Sequence, residues 1–352
     1  MLIGFLLKIN KTGETMSLDI LKEQIKSNRF KNIYLFYGKE EYLKKLYLES
    51  IENKIIGSNM KGINKIVMEG KVDIGKLSDN CETAPLFSEK KLVIVKNSGI
   101  FKASKKGDSE KKDGNKDSLI MLMQNIPAYT CLIFVEEEVD KRLKVIDVIK
   151  KNGLVVEFQY LKPPELVKWV IKLFRSKNKN ISQELASIIV NNCDQGMVEI
   201  YNEVEKLILY LDKKETVSAE DIEKVCIKSI KSRIFDLTDA IAAKDRTKAF
   251  AILEEMVVLK EPMPKILYMI ARQFSQLLSM KLLSHSGIDI NDAAAKIGVT
   301  PYIAGKIMRQ SRQFDLNVLK RVVEESLELD VAVKTGRIND RVAVEMLLAG
   351  IN

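Results

Sequence analysis

The 352-residue sequence has little of the chemistry that most metal sites and hydrolases use. Its only histidine is His285, so a Ser-His-Asp triad or a histidine-based zinc site would depend on that one residue. The four cysteines are widely separated and form no CxxC pair: Cys81, Cys131, Cys193 and Cys226. We expect buried thiols, a surface histidine near a helix end, no metal site and no cofactor.

Long hydrophobic runs are also lacking. Leu2 to Ile9 is apolar but short, is interrupted by Lys8 and has no small-residue cleavage site, so it predicts neither a signal peptide nor a membrane span. Residues 1–16 are interpreted as an N-terminal extension, with Met16 as an alternative start. We expect a cytoplasmic protein without membrane contact. The net charge of +9 permits contact with nucleic acid, but an ordinary lysine-rich surface also accounts for it.

Residues 32–158 alternate between strand and helix patterns, and residues 17–160 are predicted to form one α/β domain. The strand candidates are short and almost wholly apolar, which is typical of a parallel sheet covered by helices on both faces. The polar stretch Lys102 to Asp117 is predicted to be a mobile loop, since it has almost no apolar side chains to bury. The predicted strands are Ile33–Tyr37, Ile63–Met68, Leu92–Val95, Cys131–Val135 and Val155–Phe158.

From the consecutive prolines at 163 and 164 onward, only helical patterns follow. Residues 161–230 are predicted to form a small helical lid, and residues 231–352 an all-helical bundle with longer helices. The fold class is therefore α/β, a parallel sheet domain with a helical lid, followed by an all-α domain.

A degenerate nucleotide loop follows the first strand. In the pattern GxxxxGK[ST], glycines let backbone amides surround the phosphates, the lysine neutralises charge and the hydroxyl holds magnesium. Gly38 stands at the first glycine and Lys44 at the lysine, but Leu43 replaces the second glycine and Lys45 replaces the hydroxyl. This pattern predicts the topology of a nucleotide-binding domain without its chemistry.

Acidic residues stand at several positions of this expected site. Glu40 and Glu41 bring negative charge to the loop itself. The run Glu136–Glu138 follows the fourth strand and is either a magnesium ligand set or a solvated loop. In active ATPases of this class an arginine in the lid senses the terminal phosphate, and Glu199, three residues after Gly196, stands at that position. A carboxylate there would repel phosphate, so we interpret Glu199 as a lost sensor.

Five segments, in order along the chain, together resemble one family, the delta subunits of bacterial DNA polymerase III clamp loaders. The resemblance extends over residues 17–352 and implies an AAA+-like module followed by a helical collar. The segments are Ile33–Leu43, Ala84–Val95, Asn202–Tyr210, Met269–Phe274 and Leu329–Gly336.

The resemblance implies a subunit that binds and opens the beta sliding clamp for loading on primer–template DNA, without hydrolysing ATP. Its partners would be the delta-prime and gamma or tau subunits, joined through the collar. The chain would be a non-catalytic part of a polymerase holoenzyme that is catalogued as a nucleotidyltransferase. By the same resemblance, Leu86 and Phe87 would enter an apolar pocket on the clamp, whereas the residues alone favour a pair that fills the core between helix and strand.

Two other functions stay open from the sequence. One is an active AAA+ ATPase of the same fold, against which Leu43, Lys45 and Glu199 argue. The other is a DNA-binding scaffold without a clamp partner, in which basic residues near the end of the sheet face a duplex. Those residues are equally typical of a solvated helix face: Lys141, Arg142, Lys144, Lys150 and Lys151.

Overall fold

The computed structural model describes residues 15–56, 61–102, 113–193, 196–299 and 301–351. The chain divides into two compact units. The first comprises Met1–Asn180 and Gln195–Asn202, and the second comprises Ile181–Asp194 and Glu203–Asn352. The finer division into extension, sheet domain, lid and collar stays a prediction.

The first unit alternates helices with five strands. In chain order its elements are α1 (Thr15–Ser27), β1 (Ile33–Tyr37), α2 (Glu41–Ile55), α3 (Lys61–Asn64), β2 (Lys65–Glu69), α4 (Ile74–Glu82), β3 (Lys91–Lys96), α5 (Asp113–Gln124), β4 (Thr130–Glu136), α6 (Lys144–Asn152), β5 (Leu154–Glu157) and α7 (Pro163–Ser176).

The five strands form one parallel sheet in the order β2-β3-β4-β1-β5. All five residues of β1 are buried, as expected for a central strand covered on both faces. Tyr37, the last residue of β1, lies beside Glu136, the last residue of β4. The carboxyl ends of β1 and β4 therefore meet, and the chain after β1 begins at this edge, where open α/β sheets bind ligands.

One face of the sheet carries a continuous hydrophobic core beneath α4, α5 and α6. This burial explains the apolar runs of the central strands, because each strand needs partners on both faces. The core includes Leu35, Leu77, Val93, Leu122, Phe134 and Ile149.

The predicted loop at Lys102 to Asp117 is partly wrong. Helix α5 begins at Asp113, so the last five residues of that stretch are helical. Residues 103–112 lie outside the described residues.

The second unit is helical throughout its described residues. Its elements are α8 (Gln183–Asn192), the remainder of α9 (Met197–Leu211), α10 (Ala219–Val225), α11 (Ile230–Ala242), α12 (Arg246–Val258), α13 (Met263–His285), α14 (Ile290–Ile297), α15 (Pro301–Ser311), α16 (Leu316–Lys334) and α17 (Asp340–Gly350).

Helix α13 is the long central helix of this unit. Ile270, Phe274 and Leu277 lie on its buried face and pack in one core with residues of the surrounding helices. A buried amide pair crosses that core, in which Gln273 Nε2 donates to Gln310 Oε1 at 2.7 Å. Polar groups buried in pairs keep their hydrogen bonds, so the amide pair also fixes the register of α13 against α15.

The cysteines and the histidine lie largely as predicted. Cys81 and Cys131 are buried, and burial raises the pKa of their thiols to about 11 and about 12. Cys193 and Cys226 are only half-buried. His285 is the exposed last residue of α13. No helix in the described ranges is long and apolar enough to cross a membrane.

Candidate functional site

Leu86 and Phe87 lie in the irregular segment between α4 and β3. Their side chains are 58% and 87% exposed. They therefore do not fill the core between helix and strand, which was the alternative left open by the sequence. Large exposed apolar side chains that are adjacent are a common mark of a protein-binding surface.

The segment is anchored at both ends although its centre is exposed. The ammonium group of Lys91, a buried residue at the start of β3, donates to the carbonyl of Thr83. Tyr129 donates its hydroxyl to the carbonyl of Glu82, and Thr130 Oγ1 donates to Cys81 O at 2.7 Å. These bonds join the carboxyl end of α4 to the sheet, so the segment leaves the helix from a fixed point.

Asn64 holds the centre of the segment. It is the last residue of α3 and its side chain is buried. Asn64 Nδ2 donates to Leu86 O at 2.7 Å, and Leu86 N donates to Asn64 Oδ1 at 2.8 Å. The sequence did not reveal this residue, because its apolar pattern predicted a strand from Ile63 to Met68, whereas the strand begins at Lys65 and Asn64 ends the helix before it.

The degenerate nucleotide loop lies at the meeting point of β1 and β4. Gly38 has φ of +118° and donates its amide to Glu137 O at 3.1 Å. A Cβ atom at this position would lie 2.2 Å from Phe158 O. Glycine is therefore required here by close approach of the backbone, whatever the loop binds.

Glu40 places a buried carboxylate beside the loop. Its side chain is 1% exposed, and its carboxylate accepts hydrogen bonds from Tyr42 N at 3.1 Å and from Met197 N at 3.1 Å. Amides at the start of a helix are the groups that phosphate-binding loops direct at phosphates. Glu40 thus joins the first turn of α2 to the first turn of α9 through its carboxylate.

Burial dominates the electrostatics of Glu40. Desolvation raises the pKa of its carboxyl to about 7, although the two amides and Lys44 oppose the shift. Tyr42 packs beside this contact, with its ring 5.3 Å from that of Trp169 and 5.2 Å from that of Tyr201. The Glu40 carboxyl is therefore buried, and the neighbouring Tyr42 ring packs in an aromatic cluster.

Lys44 and Glu136 are also bonded to neighbouring groups of the chain. Lys44 is buried, and its Nζ lies 2.6 Å from Glu41 Oε1 and 3.1 Å from Glu136 O. Glu136 is also buried, and its Oε1 accepts from the amide of Ser98 at 2.9 Å and from the Ser98 hydroxyl. The lysine of the motif and the first candidate magnesium ligand are thus both bonded to neighbouring groups.

The two replaced positions of the motif point in opposite directions. Leu43 is buried, as part of the apolar face of α2. Lys45 has a side chain 79% exposed, with its Nζ 4.0 Å from Glu49 Oε1. Neither residue offers the flexible backbone or the hydroxyl that the motif requires.

Carboxylates gather around Tyr160 at this edge of the first unit. Desolvation raises the pKa of Tyr160, and the negative charges of Glu40, Glu137, Glu41 and Glu199 raise it further. Glu199 lies exposed in the first turn of α9. This edge of the first unit therefore concentrates negative charge.

The remaining candidates give little support to other sites. Glu137 and Glu138 are exposed, and no metal-binding group of three or more His, Cys, Asp or Glu is found in the part of the chain that the structure describes. Of the basic residues near the sheet end, three lie against carboxylates: Lys141 at 2.7 Å from Glu157, Arg142 at 2.8 Å from Asp140, and Lys150 at 3.1 Å from Asp147.

A parallel sheet with this strand order and a loop at its switch point, followed by a helical region, defines an AAA+-like protein. The family model "DNA polymerase III, delta subunit" matches residues 34–159, and "DNA polymerase III delta subunit, C-terminal domain" matches residues 231–351. The chain belongs to the family of DNA polymerase III delta subunits.

Two curated proteins and one solved structure illustrate the relationship. The chain is 26% identical to DNA polymerase III subunit delta of Bacillus subtilis over 336 residues, covering 95% of this chain and 96% of that protein. It is 23% identical to a probable DNA polymerase III subunit delta of Aquifex aeolicus, covering 76% and 75%. The structure of the Bacillus subtilis DNA clamp loader delta protein matches with a TM-score of 0.72 at 25% identity, covering 96% and 99%.

Proposed function

We propose that this chain is the clamp-loader subunit that binds the beta sliding clamp and opens it for loading onto primed DNA. In this proposal Leu86 and Phe87 insert into an apolar pocket on the clamp. The observation that carries it is the exposure of both side chains on a segment whose two ends and centre are hydrogen-bonded to the sheet region. An apolar pair held in place binds with less loss of conformational entropy than a flexible one.

The chain acts in this proposal without hydrolysing ATP. Supporting this, the anion position at the start of α2 is occupied by Glu40, and the motif lysine Lys44 is bonded to Glu41 and to the main chain of Glu136. A phosphate would have to displace these buried groups and approach several carboxylates. ATP would therefore be bound and hydrolysed by other subunits of the assembly.

The proposed partners follow from the family. They are the beta sliding clamp, the delta-prime and gamma or tau subunits, and primer–template DNA within the assembled loader. Residues 231–352 would form the collar that joins the subunits, and the complex would act in the cytoplasm. The similarity to the Bacillus subtilis DNA clamp loader delta protein supports this assignment.

The test is binding of the isolated chain to its cognate sliding clamp by surface plasmon resonance, without ATP. Full burial of a large apolar side chain contributes about 1.5–3 kcal/mol, so we expect Leu86→Ala with Phe87→Ala to weaken binding by about a hundredfold or more. The matched control is Val258→Ala with Leu259→Ala, another adjacent exposed apolar pair, at the end of α12. This control should bind the clamp like the wild-type chain.

Each result has a distinct meaning, provided that the helical circular dichroism of both variants is unchanged. Loss of binding only in the Leu86, Phe87 variant supports the function and the site together. Equal binding by all three proteins keeps the function but moves the contact elsewhere. A wild-type chain that does not bind the clamp, yet binds DNA in a salt-dependent way, replaces the proposal with the DNA-scaffold alternative.

A further inference from the structure

Phe87 has an unusual main-chain conformation. Its φ is +55°, in the left-handed region, and it is the one aromatic residue with positive φ in the described part of the chain. For residues with a Cβ atom this region is disfavoured, by an amount equivalent to roughly a tenfold lower population. A bulky residue kept there must be held by its surroundings, and such positions concentrate at functional sites.

The residue immediately before Phe87 is the one that Asn64 binds. The Asn64 side chain is 3% exposed, and its two polar atoms meet the carbonyl and the amide of Leu86 at 2.7 and 2.8 Å. The donor faces the acceptor in both bonds, so the side-chain amide imitates the pairing of one β-strand residue with another. This two-point contact fixes the peptide planes on both sides of Leu86.

The residue after Phe87 is fixed less firmly. Ser88 Oγ donates to Lys90 O at 2.9 Å, and Lys90 N donates to Ser88 Oγ at 3.4 Å, so this turn is closed only on itself. By contrast, Asn64 is followed directly by β2, which pairs along its length with β3. Asn64 therefore connects the centre of the segment, at Leu86 itself, to the sheet, in addition to the anchors at the two ends of the segment.

We propose that Asn64 is a positioning residue for clamp binding: it holds Leu86 and the strained Phe87 in the binding-ready conformation before the clamp arrives. This inference rests on the proposed function and assigns a second residue to it. Without the asparagine, Phe87 can relax to negative φ and redirect its ring. The clamp would then have to select a minor conformation, which lowers the apparent affinity by the population of that conformation.

The experiment combines clamp binding with amide hydrogen exchange in the free chain. Asn64→Ala should weaken clamp binding at least tenfold, since freeing even one main-chain residue costs roughly that factor. In the free protein, exchange of the Leu86 amide should accelerate at least tenfold, because its acceptor is gone. Asn64→Asp keeps the shape and the acceptor but sets a carboxylate oxygen against Leu86 O, and should weaken binding similarly.

Ser50→Ala is the matched control, because it also removes a buried polar group from the first unit. The Ser50 hydroxyl donates to Leu46 O at 2.6 Å within α2. This variant should leave clamp affinity and Leu86 exchange at wild-type values. If Asn64→Ala does not fold, Asn64→Asp decides the question by clamp affinity, because it keeps the acceptor of the Leu86 amide and loses only the bond to Leu86 O.

The outcomes separate this inference from the proposed function. Weaker clamp binding in the Asn64 variants, with faster Leu86 exchange in Asn64→Ala and neither change in the control, supports the positioning role. Wild-type clamp affinity in a folded Asn64 variant overturns that role and leaves the proposed function intact. Absence of clamp binding by the wild-type chain overturns the proposed function, and with it any positioning role in clamp binding, whatever the exchange rates are.

Discussion

Replacing Glu40 by glutamine tests how the buried carboxylate contributes to stability. Glutamine has nearly the same shape and keeps an oxygen that accepts from the amides of Tyr42 and Met197, but it cannot titrate. The pKa of Glu40 is raised by burial from 4.5 to about 7. The folded chain therefore binds this proton more tightly than the unfolded chain does.

The sign of the pH dependence follows from that difference. The stabilising contribution of the proton is fully present below the unfolded pKa of 4.5 and is lost as the pH rises through the folded value of about 7. Linkage over the interval from about pH 5 to about pH 7.5 gives a loss of about 2 kcal/mol from this one group. Glu40→Gln should lack that loss, so its stability should exceed that of the wild-type chain most clearly at the alkaline end.

The assay is urea unfolding followed by the fluorescence of Trp169, which is the one tryptophan of the chain and lies beside Tyr42. Its signal reports on the surroundings of Glu40. Glu49→Gln, an exposed carboxylate on the same helix, is the control and should keep the wild-type pH dependence. Parallel pH profiles for the wild-type chain and Glu40→Gln would refute the reasoning, because they would mean that the amides keep Glu40 ionised throughout.

Two further predictions concern the degenerate loop. Gly38→Ala should lower the free energy of unfolding by more than about 3 kcal/mol, because the Cβ atom would collide with Phe158 O. Gly70→Ala is the control, since Gly70 also has positive φ, +79°, but open space around the added Cβ atom. It should lower the free energy of unfolding by only about 1 kcal/mol in the same urea titration. Restoring the motif with Leu43→Gly and Lys45→Thr should give no binding of a fluorescent ATP analogue, since the Tyr42 amide is already bonded to the Glu40 carboxylate and the motif lysine to that of Glu41. Saturable binding would show that these groups exchange readily.

The sheet could be predicted from sequence because its signals are local. The apolar run from Ile33 to Tyr37 and the glycine after it place β1 and the loop without any knowledge of distant residues. The helical half was equally readable, since Gly and Pro fall almost entirely between its helices. The error at Asp113 arose because a polar stretch lacks the apolar periodicity from which a helix is recognised.

The candidate site was less accessible to sequence reasoning. Leu86 and Phe87 came from a resemblance, and only the structure excludes a place in the core. Glu40 was interpreted as a charge that repels phosphate, whereas it also accepts from Met197 N, 157 positions away in the chain. Asn64 likewise acts on a residue 22 positions away. Contacts at such separations depend on the folded path of the chain, which no local pattern encodes.

The Glu40 carboxylate has a consequence for how the chain responds to the metabolic state of the cell. A bound nucleotide occupies its site in proportion to its concentration relative to its dissociation constant, and it leaves after hydrolysis. A tethered carboxylate has a fixed effective concentration, set by the length and stiffness of the chain. The link between the first turns of α2 and α9 therefore persists in starved and growing cells alike, at any ratio of ATP to ADP.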